Sequence, residues 1–129
     1  MLKHSQAFIS FAVSDIQAAK DFYSQALGLE VKETERGFLE IHTSGNNPVT
    51  VYPKEKHVPA TFTILNFPVN DIDQTVDELV SREVQFEHYD GAIQTDEKGI
   101  VRGEGGSPHA AWFKDPAGNI LSLMQFLDR

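Results

Sequence analysis

The sequence predicts an α+β fold of two tandem β-α-β-β-β modules, and three observations predict it. Phe11-Ala12-Val13-Ser14-Asp15-Ile16 matches Phe67-Pro68-Val69-Asn70-Asp71-Ile72 in residue type at a constant offset, so the chain carries an internal repeat. After each of these stretches apolar residues recur at helical spacing. Short, mostly alternating apolar runs separated by turn residues then follow each helix, as a sheet built from short strands requires.

Ala7 to Val13 is aromatic and β-branched and reads as the first strand. Ser14 or Asp15 offers an N-cap, Ile16, Ala19, Phe22, Tyr23, Ala26 and Leu27 form the apolar face of a helix, and Gly28 ends it. Glu30 to Thr34, Gly37 to Thr43 and Pro48 to Tyr52 supply three further strands, the last two divided by Gly45-Asn46-Asn47. Lys54 to Ala60, with Pro53 and Pro59, reads as the linker, which sets the modules at about 5–53 and 60–129 of a single domain.

The second module repeats the plan. Thr61 to Val69 is a strand, Asn70 an N-cap, and Ile72, Val76, Leu79 and Val80 a helical apolar face. A strand is expected near Val84 to Tyr89, then a polar, glycine-rich passage from Asp90 to Pro108. A closing hairpin turns at Asp115-Pro116-Ala117-Gly118-Asn119, where Pro presets φ, Gly accepts positive φ, and Asp and Asn bond neighbouring backbone. On its second arm Ile120, Ser122, Met124 and Phe126 share one face and Leu121, Leu123, Gln125 and Leu127 the other. Two curled mixed sheets with a helix on each outer face leave a central cleft, the kind of place where small ligands bind.

Composition narrows the function. A formal charge of −8 without clustered Lys or Arg argues against nucleic acid as a partner. No apolar run reaches the roughly 18 residues of a membrane span, and Met1 to Gln6 lacks a signal-peptide h-region, so the cytoplasm is expected. With no cysteine, disulfides, thiolate nucleophiles and thiolate metal sites are excluded.

The two modules, the opening Val13-Ser14-Asp15-Ile16 with Asp21-Phe22-Tyr23 and Leu27-Gly28-Leu29, and the closing Phe113 to Asn119 together resemble the vicinal oxygen chelate superfamily. That superfamily includes glyoxalase I, the bleomycin and fosfomycin resistance proteins and the extradiol dioxygenases. Its enzymes hold a divalent metal through His, Glu or Gln on the first and last strand of each module. The resemblance carries those positions to Phe8, Thr50, Ile64 and Ser122, two hydrocarbons and two hydroxyls. The neighbouring strand positions add no imidazole or carboxylate, so no metal ligand and no cofactor are expected. Zinc catalysis uses about three protein ligands, and without a cation there is no Lewis acid for an enediolate or for dioxygen.

Phe38, Glu40 and His42 share a strand face; turned into an apolar cleft, Glu40 would have a raised pKa and serve as a general base, but a solvent-facing Glu40 above core Leu39 and Ile41 is preferred. His4, His42, His57, His88 and His109 form no close pair, and His109 stands at the mouth of the cleft. Gly99 to Pro108 lacks the Lys-Ser/Thr and helix of a Walker loop, and reads either as a loop over the cleft with Arg102 as an anion contact or as a solvated connector. Phe8, Tyr52, Trp112, Met124 and Phe126 are candidates for the cleft wall.

The expected function is small-molecule binding: Phe8, Thr50, Tyr52, Ile64, Trp112, Ser122 and Met124 line an apolar cleft for an apolar or planar ligand, without a metal. The alternative is a lyase, isomerase or dioxygenase-like enzyme that uses a divalent metal through unrecognised ligands, or a Glu or His general base. A third is an interaction module with a vestigial cleft. The resemblance also implies a homodimer.

Overall fold

Two aspartates at equivalent places in the repeat start the two helices. Asp15, in an extended conformation, accepts from the backbone N–H groups of Gln17 and Ala18 at 3.1 Å, and Asp71 accepts from Gln74 N–H at 3.1 Å. Each satisfies donors that a helix start leaves without an intrahelical partner. Of the caps expected from sequence, Asp15 is the one used, and Asn70 gives way to Asp71 beside it. The computed structural model describes residues 1–127; Asp128 and Arg129, the end of the second module, lie outside them.

The chain divides between Pro59 and Ala60 into two compact units. In the first, β1 (Ser10–Val13), α1 (Ile16–Asp21), β2 (Glu30–Glu33), β3 (Leu39–His42) and β4 (Val49–Pro53) form a sheet of order β1-β4-β3-β2. β1 runs parallel to β4, and the other pairs are antiparallel. The predicted single helix changes character at Phe22: Phe22–Ala26 is a π-helical turn, with Leu27 N–H bonded to Phe22 C=O at 3.1 Å, and Gly28 leaves it at φ 69°. Alternation fixes the core. Leu39, Ile41, Val49, Val51, Phe11 and Val13 are buried, and Tyr23 of the π turn, itself fully buried, sets its ring 5.9 Å from that of Phe11. Burying each large apolar side chain contributes roughly 1.5–3 kcal/mol before the entropy of ordering is subtracted.

The second unit contains β5 (Thr63–Pro68), α2 (Ile72–Ser81), β6 (Ile100–Val101), β7 (His109–Lys114) and β8 (Ile120–Gln125) in the order β5-β8-β7-β6, with β5 parallel to β8. Ile72, Val76 and Leu79 are buried, as are Leu121, Leu123, Ala111 and Phe113. Gln125 Oε1 accepts from Ile72 N–H at 2.9 Å, which ties the end of β8 to the start of α2.

One predicted strand moves. Val84 to Tyr89 is not a strand: Phe86 makes a single bridge to Phe113, and the unit's edge strand is Ile100–Val101, inside the passage read as loop. Both segments run along the same edge of β7, Phe86 near one end and Ile100–Val101 near the other. The apolar alternation of residues 84–89 was genuine, since Val84 and Phe86 are buried, but it serves packing against Phe113 rather than a ladder.

Candidate functional site

Each sheet packs one face against its helix and leaves the other partly exposed, although Ser122 and Ala110 on that face of the second sheet are buried. In the second unit the register decides what the open face carries. Ser122 stands opposite Asn66 on one side and Trp112 on the other, while Met124 stands opposite Pro68 and Ala110. Side chains alternate along a strand, so Asn66, Ser122, Trp112 and Met124 share a face, opposite to Leu121, Leu123 and Phe113. The Ser122 hydroxyl is fully buried and donates to Asn66 Oδ1 at 2.5 Å. Asn66 is exposed, and Trp112 and Met124 are half-buried. The Tyr89 ring meets that of Trp112 at 5.7 Å and 70°, which extends the aromatic surface.

The hairpin that aligns Trp112 with Ser122 is held by a carboxylate. Asp115 is 4% exposed, and its Oδ1 accepts from the backbone N–H groups of Ala117 and Asn119 at 2.9 Å, while Oδ2 accepts from Asn119 Nδ2 at 3.0 Å. Gly118 takes φ 86°, a conformation that favours glycine.

In the first unit the equivalent row is Ser10, Thr50 and Glu40, paired in register across β1, β4 and β3. Thr50 therefore occupies the place of Ser122, as the repeat predicts, and Ser10 that of Asn66. Glu40 is the counterpart of Trp112, half-buried, with His42 Nε2 at 3.3 Å from its Oε1. Tyr52 and Phe38 lie on this face with ring centroids 6.0 Å apart, and the Arg36 guanidinium sits 4.5 Å above the Phe38 ring. Leu39 and Ile41 are buried, in agreement with the preferred reading of Glu40.

The other predicted positions are set apart. Phe8 precedes β1 and is 65% exposed. Ile64 is half-buried at the register shift between Thr63 and Leu65, the extra residue of a bulge. Ser10 and Asn66, which stand beside Thr50 and Ser122, were missed. The signal that finds them is the repeat itself, since Ser10 and Asn66 share the offset that relates Phe11 to Phe67.

His109 shares a face with Ala111 and Phe113 rather than with Trp112, and its Nδ1 accepts from Gly103 N–H at 2.9 Å. That bond folds the glycine-rich loop onto itself, where a Cβ on Gly103 would collide with the carbonyl oxygens of Ser107 and Pro108. Arg102 is no anion contact. It forms a two-pronged pair with Asp73 at 2.8 Å on both nitrogens, and its Nε reaches Asp96 at 3.1 Å. Lys98 adds Asp73 at 3.2 Å and Asp77 at 3.0 Å. Hydrogen bonds from Arg102 and then Lys98 hold the Asp73 carboxyl well below its usual range, and Asp73 in turn raises Arg102. Burial pushes Asp96 up, but backbone N–H groups of Ile100 and Lys98 and the Arg102 side chain outweigh it, so Asp96 is also lowered. This network pins the segment leading into β6 against α2. Beside it, a groove lined by Val76, Val80, Val84, Phe86, Asp77 and Lys98 contains none of the predicted site residues.

Phe8 and Ile64 offer no ligating atom, and among the described residues no three His, Asp or Glu side chains stand together as metal ligands would.

Comparison with known proteins agrees with the fold. No curated protein matches the chain. Among solved structures, the fosfomycin resistance protein FosX from Listeria monocytogenes is 12% identical with a TM-score of 0.72, over 95% of this chain and 93% of that one. A glyoxalase/bleomycin resistance protein from a Streptomyces strain is 25% identical, TM-score 0.64, over 94% and 100%. TnmS3, an antibiotic binding protein from the same strain, is 22% identical, TM-score 0.64, over 95% and 98%. The family model of the Glyoxalase/Bleomycin resistance protein/Dioxygenase superfamily matches residues 5–123, and the chain belongs to that superfamily.

Proposed function

We propose that this protein binds an apolar or planar small molecule without a metal, in the manner that the name of its antibiotic-binding relative suggests. The observation that carries this reading is the open face of the second sheet. There Trp112, Tyr89 and Met124 supply flat and polarisable apolar surface, and the polar groups beside them are few, chiefly Asn66 and Ser122. Phe8, Thr50, Tyr52 and Ile64 are proposed as further contacts. Sequestration by burial needs no acid, base or Lewis acid, only surface of the right shape removed from water.

A thermal-shift screen against planar aromatic drugs, thiols and acyl metabolites tests it. A ligand present at 100 times its Kd stabilises the native state by about 2.7 kcal/mol, a rise in Tm of roughly 8–13 °C for a chain of this size. A broad library that leaves Tm unmoved contradicts the reading. So does a stoichiometric equivalent of nickel, zinc, manganese or iron in protein purified without chelator.

A second reading, acid–base catalysis, draws on the contact between Glu40 and His42 at 3.3 Å on the open face of the first sheet. It requires that Glu40→Gln abolish turnover of a ligand found in the screen while leaving its binding intact. A homodimer and a cytoplasmic location complete the proposal; light scattering behind size exclusion tests the first, and cell fractionation the second.

A further inference from the structure

Granting that the open face of the second sheet is a binding face, its hydrogen bonds say what kind of ligand it takes. Ser122 is fully buried, and its single proton goes to Asn66 Oδ1. That bond commits the amide oxygen to Ser122, and the amide of exposed Asn66 keeps its two Nδ2 protons. Neither Asn66 Nδ2 nor Trp112 Nε1 has a protein partner among the described residues. Both flank Ser122 in register. The face therefore offers donors beside a flat apolar surface and has no carboxylate on Asn66, Ser122, Trp112 or Met124. A ligand group that satisfies it must be an acceptor. An anionic acceptor is disfavoured by the chain's formal charge of −8, and Lys114, at the end of β7, is engaged by Glu87 at 3.3 Å.

We infer that the ligand is a planar, largely apolar molecule bearing a neutral carbonyl-type oxygen, received by Asn66 Nδ2 while Ser122 holds the amide in that orientation. Asn66 is the specificity-determining residue and Ser122 its positioning residue. A carbonyl ligand completes the hydrogen bonds of the face, whereas a hydrocarbon of the same shape covers Asn66 Nδ2 and leaves it without a partner.

The test uses a matched flat pair, 9-fluorenone and fluorene, with affinities measured by equilibrium dialysis and by quenching of Trp112, the single tryptophan. The wild-type protein is expected to bind the ketone about three- to tenfold more tightly than the hydrocarbon, the scale of one neutral hydrogen bond. Asn66→Asp keeps an acceptor for Ser122 but replaces the amide donor by an acceptor, and should bring the ketone-to-hydrocarbon affinity ratio to one or below. Ser122→Ala frees the amide and should give an intermediate ratio. Equal affinities in the wild type, or a ratio that Asn66→Asp leaves unchanged, overturn this inference while the binding face stands. If neither compound binds, the inference fails, and the binding face fails with it where the broad library also leaves Tm unmoved.

Discussion

Replacing Asp115 by Ala removes the acceptor around which the closing hairpin is built. Three hydrogen bonds to a carboxylate are lost: two backbone N–H groups at 2.9 Å and the Asn119 amide at 3.0 Å. Asn119 is 2% exposed, so its backbone N–H and its side-chain amide lose these acceptors where little water reaches, while the N–H of half-buried Ala117 regains some water. At roughly 1.5–3 kcal/mol for a bond to a charged acceptor, with partial compensation at Ala117 and relief of a desolvated charge, the net loss is about 3–4 kcal/mol. Native domains hold roughly 5–15 kcal/mol, so the variant should fold but be fragile. With a urea m-value of about 1.5–2 kcal/mol/M, the midpoint should fall by about 2 M. Asp115→Asn keeps one oxygen for the two backbone donors and loses the bond from Asn119 Nδ2, so its midpoint should fall by about half as much. An Asp115→Ala midpoint within about 0.3 M of wild type would overturn this, because the turn would then be held by its backbone bonds, from Asp115 N–H to Asn119 C=O at 2.9 Å and from Gly118 N–H to Asp115 C=O at 3.0 Å, without help from the carboxylate.

Further outcomes follow from the packing and the charges. Tyr23→Ala empties a fully buried site between the rings of Phe11, at 5.9 Å, and Phe22, at 5.2 Å, and should cost about 3–5 kcal/mol in urea unfolding. Arg102→Ala breaks a network whose members are 33–45% exposed at Asp73, Asp96 and Arg102, and should cost only about 0.5–1 kcal/mol, less in 1 M salt. Hydrogen–deuterium exchange should show that cost at residues 96–102. Asp73 is lowered from its ordinary 3.8, so its contribution is complete above that pH and is lost as the pH falls through the folded value; wild type and Arg102→Ala should differ in stability at pH 6 and converge in strong acid.

Much of the fold was legible because the chain states it twice. The match between Phe11–Ile16 and Phe67–Ile72 located both helix starts, and alternation assigned Leu39, Ile41, Val49 and Val51 to a core that is buried. The dense turn at Asp115–Asn119 marked the hairpin without ambiguity. What failed was local. A two-residue edge strand at Ile100–Val101 is too short to leave a period, and the stronger alternation from Val84 to Phe86 records packing on Phe113 instead. The π turn at Phe22–Ala26 keeps apolar residues inward without changing their spacing in sequence. In the site, Thr50, Ser122 and Trp112 were proposed from position along the strand; Asn66 shares the repeat's offset with Ser10, but its place beside Ser122 shows only in the cross-strand register. Arg102 looked available because its partners, Asp73 and Asp96, are distant from it in sequence and adjacent only in the fold.

Binding of a small molecule on the Asn66, Ser122, Trp112 and Met124 face can be read residue by residue from amide and side-chain chemical-shift mapping on ¹⁵N-labelled protein, titrated with the strongest compound from the thermal-shift screen. Saturable shifts should centre on the Asn66 side-chain amide, the Trp112 indole N–H and the backbone of Ser122 and Met124. Shifts confined instead to the groove of Val76, Val80, Val84 and Phe86, with the Asn66 and Trp112 signals unmoved, would contradict it.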